Sequence, residues 1–236
     1  MPILSARGVS KTYRSGSLEV PALRNVGIDV EAGEFVIVMG PSGNGKTTLL
    51  NCLSGLDDID EGVVEIEGHS IHGLSDRKRT RHRASSMGFV FQAYNLIPVL
   101  SAVENTELPL LVNGVSPRDA RKGASEILER VGLSDRLDHR PNELSGGEQQ
   151  RVTIARALAA QPAIVWADEP TGNLDSETAG SILELLVEVH TAGQTLVMVT
   201  HEPDIANLAD RLVLIRDGMV EYDGTPATSP LRLAAV

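Results

Sequence analysis

A single cysteine, Cys52, rules out a disulfide within the chain. It falls in a stretch expected to be helical, where a small buried thiol is the ordinary role. Aromatic residues make up only 3% of the sequence, so aliphatic side chains must fill the core. No apolar run reaches the ~18–20 residues that cross a bilayer. Met1 to Gly8 is too short and too mixed for a secretory leader. These absences predict a soluble, cytoplasmic chain. Low-complexity segments and internal repeats are also missing. A basic excess is lacking too: 21 Lys and Arg face 32 Asp and Glu, for a net charge of -11. Nucleic-acid binding wants a basic face, so that class is disfavoured. His69, His72, His82, His139 and His190 show no metal-ligand spacing and are read as structural.

What remains is enough for a sizeable core. Hydrophobic residues are 42% of 236, which suits one large domain or a core with a subdomain. Ile3–Val9 and Val26–Val30 read as strands, with a turn at Gly33-Glu34. Phe35–Met39 is a short continuous apolar run, the mark of a buried strand. A helix should follow from Lys46 to about Ser54, then strands over Gly62–Gly68 and Met87–Phe91. Ser101 to Glu104 has capping-box form and opens a helix. Ser116-Pro117 opens another, with Ala120, Ala124, Ile127, Leu128 and Val131 at helical spacing until Gly132. Ser145 to Glu148 opens a third. Strand Ile164–Ala167, a helix over about 176–191 and strand Thr195–Thr200 follow. A hairpin over 212–216 and 219–222 turns at Asp217-Gly218.

Three elements carry chemistry. Gly40-Pro41-Ser42-Gly43-Asn44-Gly45-Lys46-Thr47 is a full phosphate-loop pattern between a buried strand and a helix. Its glycines let backbone N–H groups converge, and the helix adds its dipole. Lys46 offers a cation to the outer phosphates, and Thr47 a hydroxyl to Mg²⁺. Asp168 ends a buried strand at the sheet edge where α/β ligands bind. It suits a Mg²⁺ held through water, and Glu169 beside it suits a base that polarises an attacking water. Leu144-Ser145-Gly146-Gly147-Glu148 is a helix start of small residues, and thus an anion site. A plain capping box explains Ser145 and Glu148 equally well. One phosphate loop does not need two such anion sites, so the second predicts a pocket completed by another copy of the chain.

In order and spacing, Gly40–Thr47, Gln92, Leu144–Glu148, Asp168-Glu169, Leu174-Asp175 and His201 resemble an ATP-binding cassette, over about residues 3–222. The resemblance implies an α/β phosphate-loop NTPase core with an N-terminal antiparallel β subdomain and an inserted helical subdomain. The expected division is about 1–92 and 161–223 for the core, about 93–160 for the helices and 224–236 for a tail. It implies that Tyr13 stacks on adenine and that residues 40–47 with Thr48 hold the phosphates. Gln92 reads Mg²⁺ with Thr47 and Asp168, and also senses the membrane partner. Asp175 couples two nucleotide sites, and His201 contacts the γ-phosphate beside Lys46 and Glu169. Without the other motifs, Tyr13 reads as sheet packing, Gln92 as a solvated strand end and His201 as a structural histidine.

Lys11-Thr12-Tyr13, Phe89–Gln92, Asn95–Pro98 and Pro170–Asp175 are similar to the branch for macrolide export, lipoprotein release and antimicrobial-peptide resistance. A cell-division cassette is also similar. The implied protein is an ATPase that dimerises around two Mg·ATP and powers a separate permease. It would sit on the cytoplasmic face of the inner membrane and touch the bilayer only through that permease. The alternative is the ATPase of a mechanical complex that regulates envelope or cell-division enzymes without transport. Two departures stand out: Asn44 where Ser is more usual, and bulky Trp166 in the strand before Asp168. A basic run, Arg77 to Arg83, holds five Lys or Arg in seven residues. It reads as a solvated helix, or as contact with acidic lipid headgroups or the permease.

Overall fold

Strands open and close the chain, three helices stand together in its middle, and strand and helix alternate from Ile164 to Thr200, as the sequence pattern predicts. In order, the elements are β1 Leu4–Ser15, β2 Leu18–Val30, β3 Phe35–Met39, α1 Lys46–Leu53, β4 Glu61–Ile66, β5 His69–Ser70, α2 Asp76–Ser86, β6 Met87–Phe91, α3 Ala102–Val112, α4 Pro117–Arg130, α5 Gly146–Ala159, β7 Ile164–Asp168, α6 Ser176–Thr191, β8 Thr195–Thr200, β9 Arg211–Arg216 and β10 Met219–Gly224. The computed structural model describes residues 2–230. Residues 231–236, part of the tail expected over 224–236, lie outside the described residues.

Two compact units divide the chain. Residues 1–79 with 193–236 form one, and residues 80–192 the other. In the first unit an antiparallel sheet runs in the order β2-β1-β4-β5. Beside it, β3 pairs in parallel with both β8 and β9, and β10 closes antiparallel on β9. All five residues of β3 and all six of β8 are buried, which is why β3 reads as an unbroken apolar run and β8 carries one between its two terminal threonines. Burial on both faces leaves only their ends open, so chemistry is confined to the loops at those ends.

β1 and β2 extend well past the predicted Ile3–Val9 and Val26–Val30. They form a long ribbon whose register shifts between Ala6 and Val9 and again around Lys11. These bulges break the period-two alternation, and the outer half is exposed, so hydrophobic patterning carries no signal there.

In the second unit β6 and β7 pair in parallel, from Met87 opposite Ile164 to Phe91 opposite Asp168. Helices α3, α4 and α5 pack on one another, and α5 also packs on β6 and α6. The predicted caps form: Ser101 and Ser145 each accept the backbone N–H of the Glu three residues on. Ser116 caps α4 in the same way, with Pro117 at the first helical position. Trp166 is fully buried in β7, and its indole N–H finds no partner. The site thus takes the large ring for its volume rather than for a hydrogen bond.

Candidate active site

The phosphate loop lies in the first unit, between β3 and α1. Gly45 takes a left-handed conformation, φ 94°, as α1 begins. A Cβ there would lie 2.4 Å from the Ala22 carbonyl oxygen, so no other residue fits. α1 has no side-chain cap and no acidic residue in its first turn. An uncapped helix start of this kind keeps its partial positive charge, which favours an anion. The Lys46 ammonium folds over the loop and donates to the carbonyls of Gly40 at 2.8 Å and Pro41 at 3.1 Å. Thr47 is exposed in the first turn, where its hydroxyl can meet a cation. The glycine cradle and uncapped helix end fit a triphosphate.

Asn44 proves to be more than a neutral departure. Its Nδ2 donates to the Ser42 carbonyl at 3.2 Å, and its Oδ1 accepts the Asp217 N–H at 2.8 Å. One amide thus ties the loop to the β9–β10 turn, a reach that the shorter serine lacks. His201 is exposed and follows Thr200, which pairs with Met39. The register therefore sets His201 beside the start of the phosphate loop. Tyr13 is exposed on β1, and its hydroxyl donates to Asp57 at 2.8 Å.

The second unit gathers the other candidates. Phe91 opposes Asp168, so Gln92 and Glu169 leave neighbouring strands side by side. Glu169 adopts φ 47°, a conformation that costs a non-glycine residue on the order of 1 kcal/mol. Gln92 is locked to Asn173. The Asn173 side chain donates to the Gln92 carbonyl at 2.8 Å and accepts from its Nε2 at 3.3 Å.

At Ser145 the capping box is complete: the Ser145 N–H also donates to Glu148 Oε2 at 2.8 Å. That bond, with Arg136 against Oε1, holds the Glu148 carboxyl below its usual range. Ser145 itself is exposed, so the same helix start can also meet an anion. Asp175 caps α6 through the Thr178 N–H at 3.0 Å and Thr178 Oγ1 at 2.7 Å, which lower its pKa. A Cβ on Gly147 would lie 2.4 Å from Thr178 Cγ2, so any larger residue at 147 would displace the Thr178 side chain where the starts of α5 and α6 meet.

Several contributors carry no sequence signal. Tyr94 and Asn95 both have positive φ, and the Arg156 guanidinium donates to their carbonyls at 3.0 and 2.7 Å. Burial holds this arginine below its usual pKa range. Asn105 is wholly buried and bonds the carbonyls of Ile97, Leu100 and Ser101, pinning the segment before α3. An apolar groove of about 430 Å³ lies alongside, lined by Met87, Phe89, Phe91, Leu108, Pro109 and Val112, with Arg83 and Arg156. Of the expected structural histidines, His72 bonds the Cys52 carbonyl at 2.8 Å. Among the described residues no group of His, Cys, Asp and Glu is set to hold a metal ion by itself.

Residues 23–172, which include the loop, the glutamine, the glycine-rich helix start and the Asp-Glu pair, match the family described as ABC transporter. The chain belongs to the ABC transporter family. It is 51% identical over 213 residues to an ABC transporter ATP-binding protein of Thermotoga maritima, covering 90% of this chain and 91% of the relative. It is 44% identical over 224 residues to the macrolide export ATP-binding/permease protein MacB of Brucella melitensis. That match covers 95% of this chain but 35% of the longer relative. The dimeric structure of MJ0796, a bacterial ABC transporter cassette, superposes with TM-score 0.87 at 44% identity, covering 94% of this chain and 98% of that one. MJ0796 has also been solved as a dimer in a post-hydrolysis state bound to ADP and Pi, again with TM-score 0.87. This ABC protein is therefore an ATP-binding, ATP-hydrolysing subunit of transporter type. Among the described residues no helix is long and apolar enough to cross a membrane.

Asn44→Ala tests the loop tie. The Asp217 amide is expected to exchange with solvent at least about tenfold faster. Stability is expected to fall by about 1 kcal/mol, the usual worth of one such bond. Hydrogen exchange with urea unfolding reads both, and an unchanged Asp217 rate would show the tie to be idle.

Proposed function

We propose that this chain works as a pair, with two Mg·ATP each held between one copy's phosphate loop and the other copy's Ser145-Gly146-Gly147 helix start. One observation carries the reading: the chain holds a single phosphate loop but a second glycine-rich helix start with an exposed serine. The dimeric solved relatives support it. In each pocket Tyr13 stacks on the base, and Lys46 with the loop N–H groups, Thr48 included, grips the phosphates. Thr47, Asp168 and Gln92 hold Mg²⁺, which neutralises phosphate charge when bound. Glu169 orients and deprotonates water, His201 meets the γ-phosphate and Asp175 links the two pockets. Nucleotide supplies the interface with charge that neither copy has alone, so binding favours closure and hydrolysis reverses it.

The work is done on a separate permease docked near Gln92 to Pro98, where the apolar groove lies. The protein is peripheral to the cytoplasmic face of the inner membrane through that contact. The MacB relatives, which are macrolide export ATP-binding/permease proteins, favour an exporter or a lipoprotein- or peptide-handling system. Cargo choice then belongs to the permease. Co-expression with the adjacent membrane subunit is expected to give a complex that survives detergent purification. Loss of the ATPase from that complex under all nucleotide conditions would remove the transporter pairing.

Glu169→Gln is expected to keep ATP binding and lose about 10²-fold or more in turnover. It should also accumulate a dimer with Mg·ATP on size exclusion, because nucleotide is no longer cleared. Near-normal hydrolysis would end the general-base assignment.

The shared pocket is tested by mixing Lys46→Ala with Gly146→Asp. A Cβ at Gly146 approaches the Tyr94 hydroxyl to 2.9 Å, so Tyr94 must shift slightly. ATP binding by the isolated variant controls for this. With pockets made across two chains, both lesions fall in one pocket and the other stays intact. Mixing is then expected to restore ATPase activity. No recovery, or normal hydrolysis by Gly146→Asp alone, would refute assembly across chains.

A further inference from the structure

Asp57 lies outside every motif quoted above, and Lys11 is quoted there only as part of a family likeness with no role of its own, yet together they hold Tyr13 at two points. The Asp57 carboxylate is shared: Oδ1 accepts from Lys11 Nζ at 2.9 Å and Oδ2 from the Tyr13 hydroxyl at 2.8 Å. Lys11 also donates to the Asp58 carbonyl at 2.6 Å. Its ammonium is fixed 5.2 Å from the centre of the Tyr13 ring. Lys11 is 9% exposed, whereas Tyr13 is 42% exposed. The ring thus has a buried cation on one side and open surface for a ligand. Burial by itself would raise the Asp57 carboxyl, but Lys11 and Tyr13 outweigh it and keep it ionised. Burial and the same carboxylate keep the phenol protonated, so it stays a donor.

We propose that Lys11 and Asp57 are positioning residues for base recognition, presetting Tyr13 as a platform with a cation behind it and a purine in front. The inference rests on the stacking role given to Tyr13 above. Two physical effects follow. A cation under the ring draws π-density toward itself, which eases stacking of an electron-rich purine on the opposite face. A ring held at its hydroxyl loses little freedom when the base arrives, so less affinity is spent on ordering. A simple staple between β1 and the segment after α1 needs only the Lys11–Asp57 pair. It does not need the second carboxylate oxygen on the phenol, nor an ammonium beneath an exposed ring.

The test compares Mg·ATP with Mg·tripolyphosphate, which has the phosphates but no base, by calorimetric titration of the full chain. Lys11→Met and Asp57→Asn are each expected to weaken ATP about three- to tenfold. Tripolyphosphate should stay within about twofold of wild type. Lys11→Arg keeps the cation and is expected to restore most of the ATP affinity. Should Lys11→Met fail to fold, Asp57→Asn with Lys11→Arg carries the comparison. Equal losses for both ligands would show a staple only, and unchanged ATP affinity would also overturn the proposal. Tyr13→Ala separates the two layers. If it leaves the ratio of ATP to tripolyphosphate affinity unchanged, base stacking at Tyr13 itself fails. If it collapses the ratio while the Lys11 and Asp57 variants do not, only the positioning role fails.

Discussion

The organising constraint is the open N-terminus of α1. Helices α3, α4, α5 and α6 each begin with a side-chain cap, from Ser101, Ser116, Ser145 and Asp175, and each has an acidic residue in its first turn. α1 has neither. Four backbone donors at a helix start need partners, and an uncapped start keeps its partial positive charge. Buried β3 delivers the chain to this point, and Gly45 turns it against the Ala22 carbonyl. Lys46 adds a full charge there and donates to the Gly40 and Pro41 carbonyls of the loop. An ABC chain of net charge -11 can therefore bind a polyanion, because its positive potential is concentrated in one loop.

The rest of the candidate machinery is held by short polar ties rather than by core packing. Asn44 joins the loop to the β9–β10 turn, Asn173 holds Gln92 and Arg156 holds the carbonyls of Tyr94 and Asn95. Each tie uses a long or forked amide or guanidinium that satisfies backbone groups which water would otherwise take. Such bonds are individually worth about 1 kcal/mol, so they hold a loop in place without freezing it. Glu169 adds a different device. Its positive φ is affordable because the Gly172 N–H closes a turn onto the Glu169 carbonyl at 3.1 Å. Strain at a carboxylate beside a strand end is the pattern expected where aim matters more than stability.

Much of this was legible from sequence because the relevant signals are local. The phosphate loop announces itself by glycine spacing, the buried strands by continuous apolar runs and the helix starts by Ser with Glu three residues on. What stayed hidden depends on pairing between distant segments. Lys11 meets Asp57 across 46 residues and Gln92 meets Asn173 across 81. No periodicity encodes such a meeting. The outer halves of β1 and β2 were missed for a related reason: their bulges and two-sided exposure erase the alternation that marks a strand. Positive φ at Glu169 and Tyr94 is imposed by the turns around them, and neither residue type foretells it; only Asn95 is of a type that enters that region readily.

Charge counting along the sequence also overstates what a run can do. Five basic residues crowd the stretch from Arg77 to Arg83, and α2 buries none of its side chains. Yet Arg79 is spent on Asp58 and Asp76, and Asp58 itself is held below its usual pKa by that arginine. Arg83 turns toward the apolar groove. The exposed cations of α2 are Arg77, Lys78 and Arg81, at spacings that place them near one face of the helix. At about 1 kcal/mol per cation near an anionic surface, three give only a modest attraction. The α2 cations therefore amount to a small, partly neutralised patch, and the concentrated positive potential of the molecule stays at the start of α1.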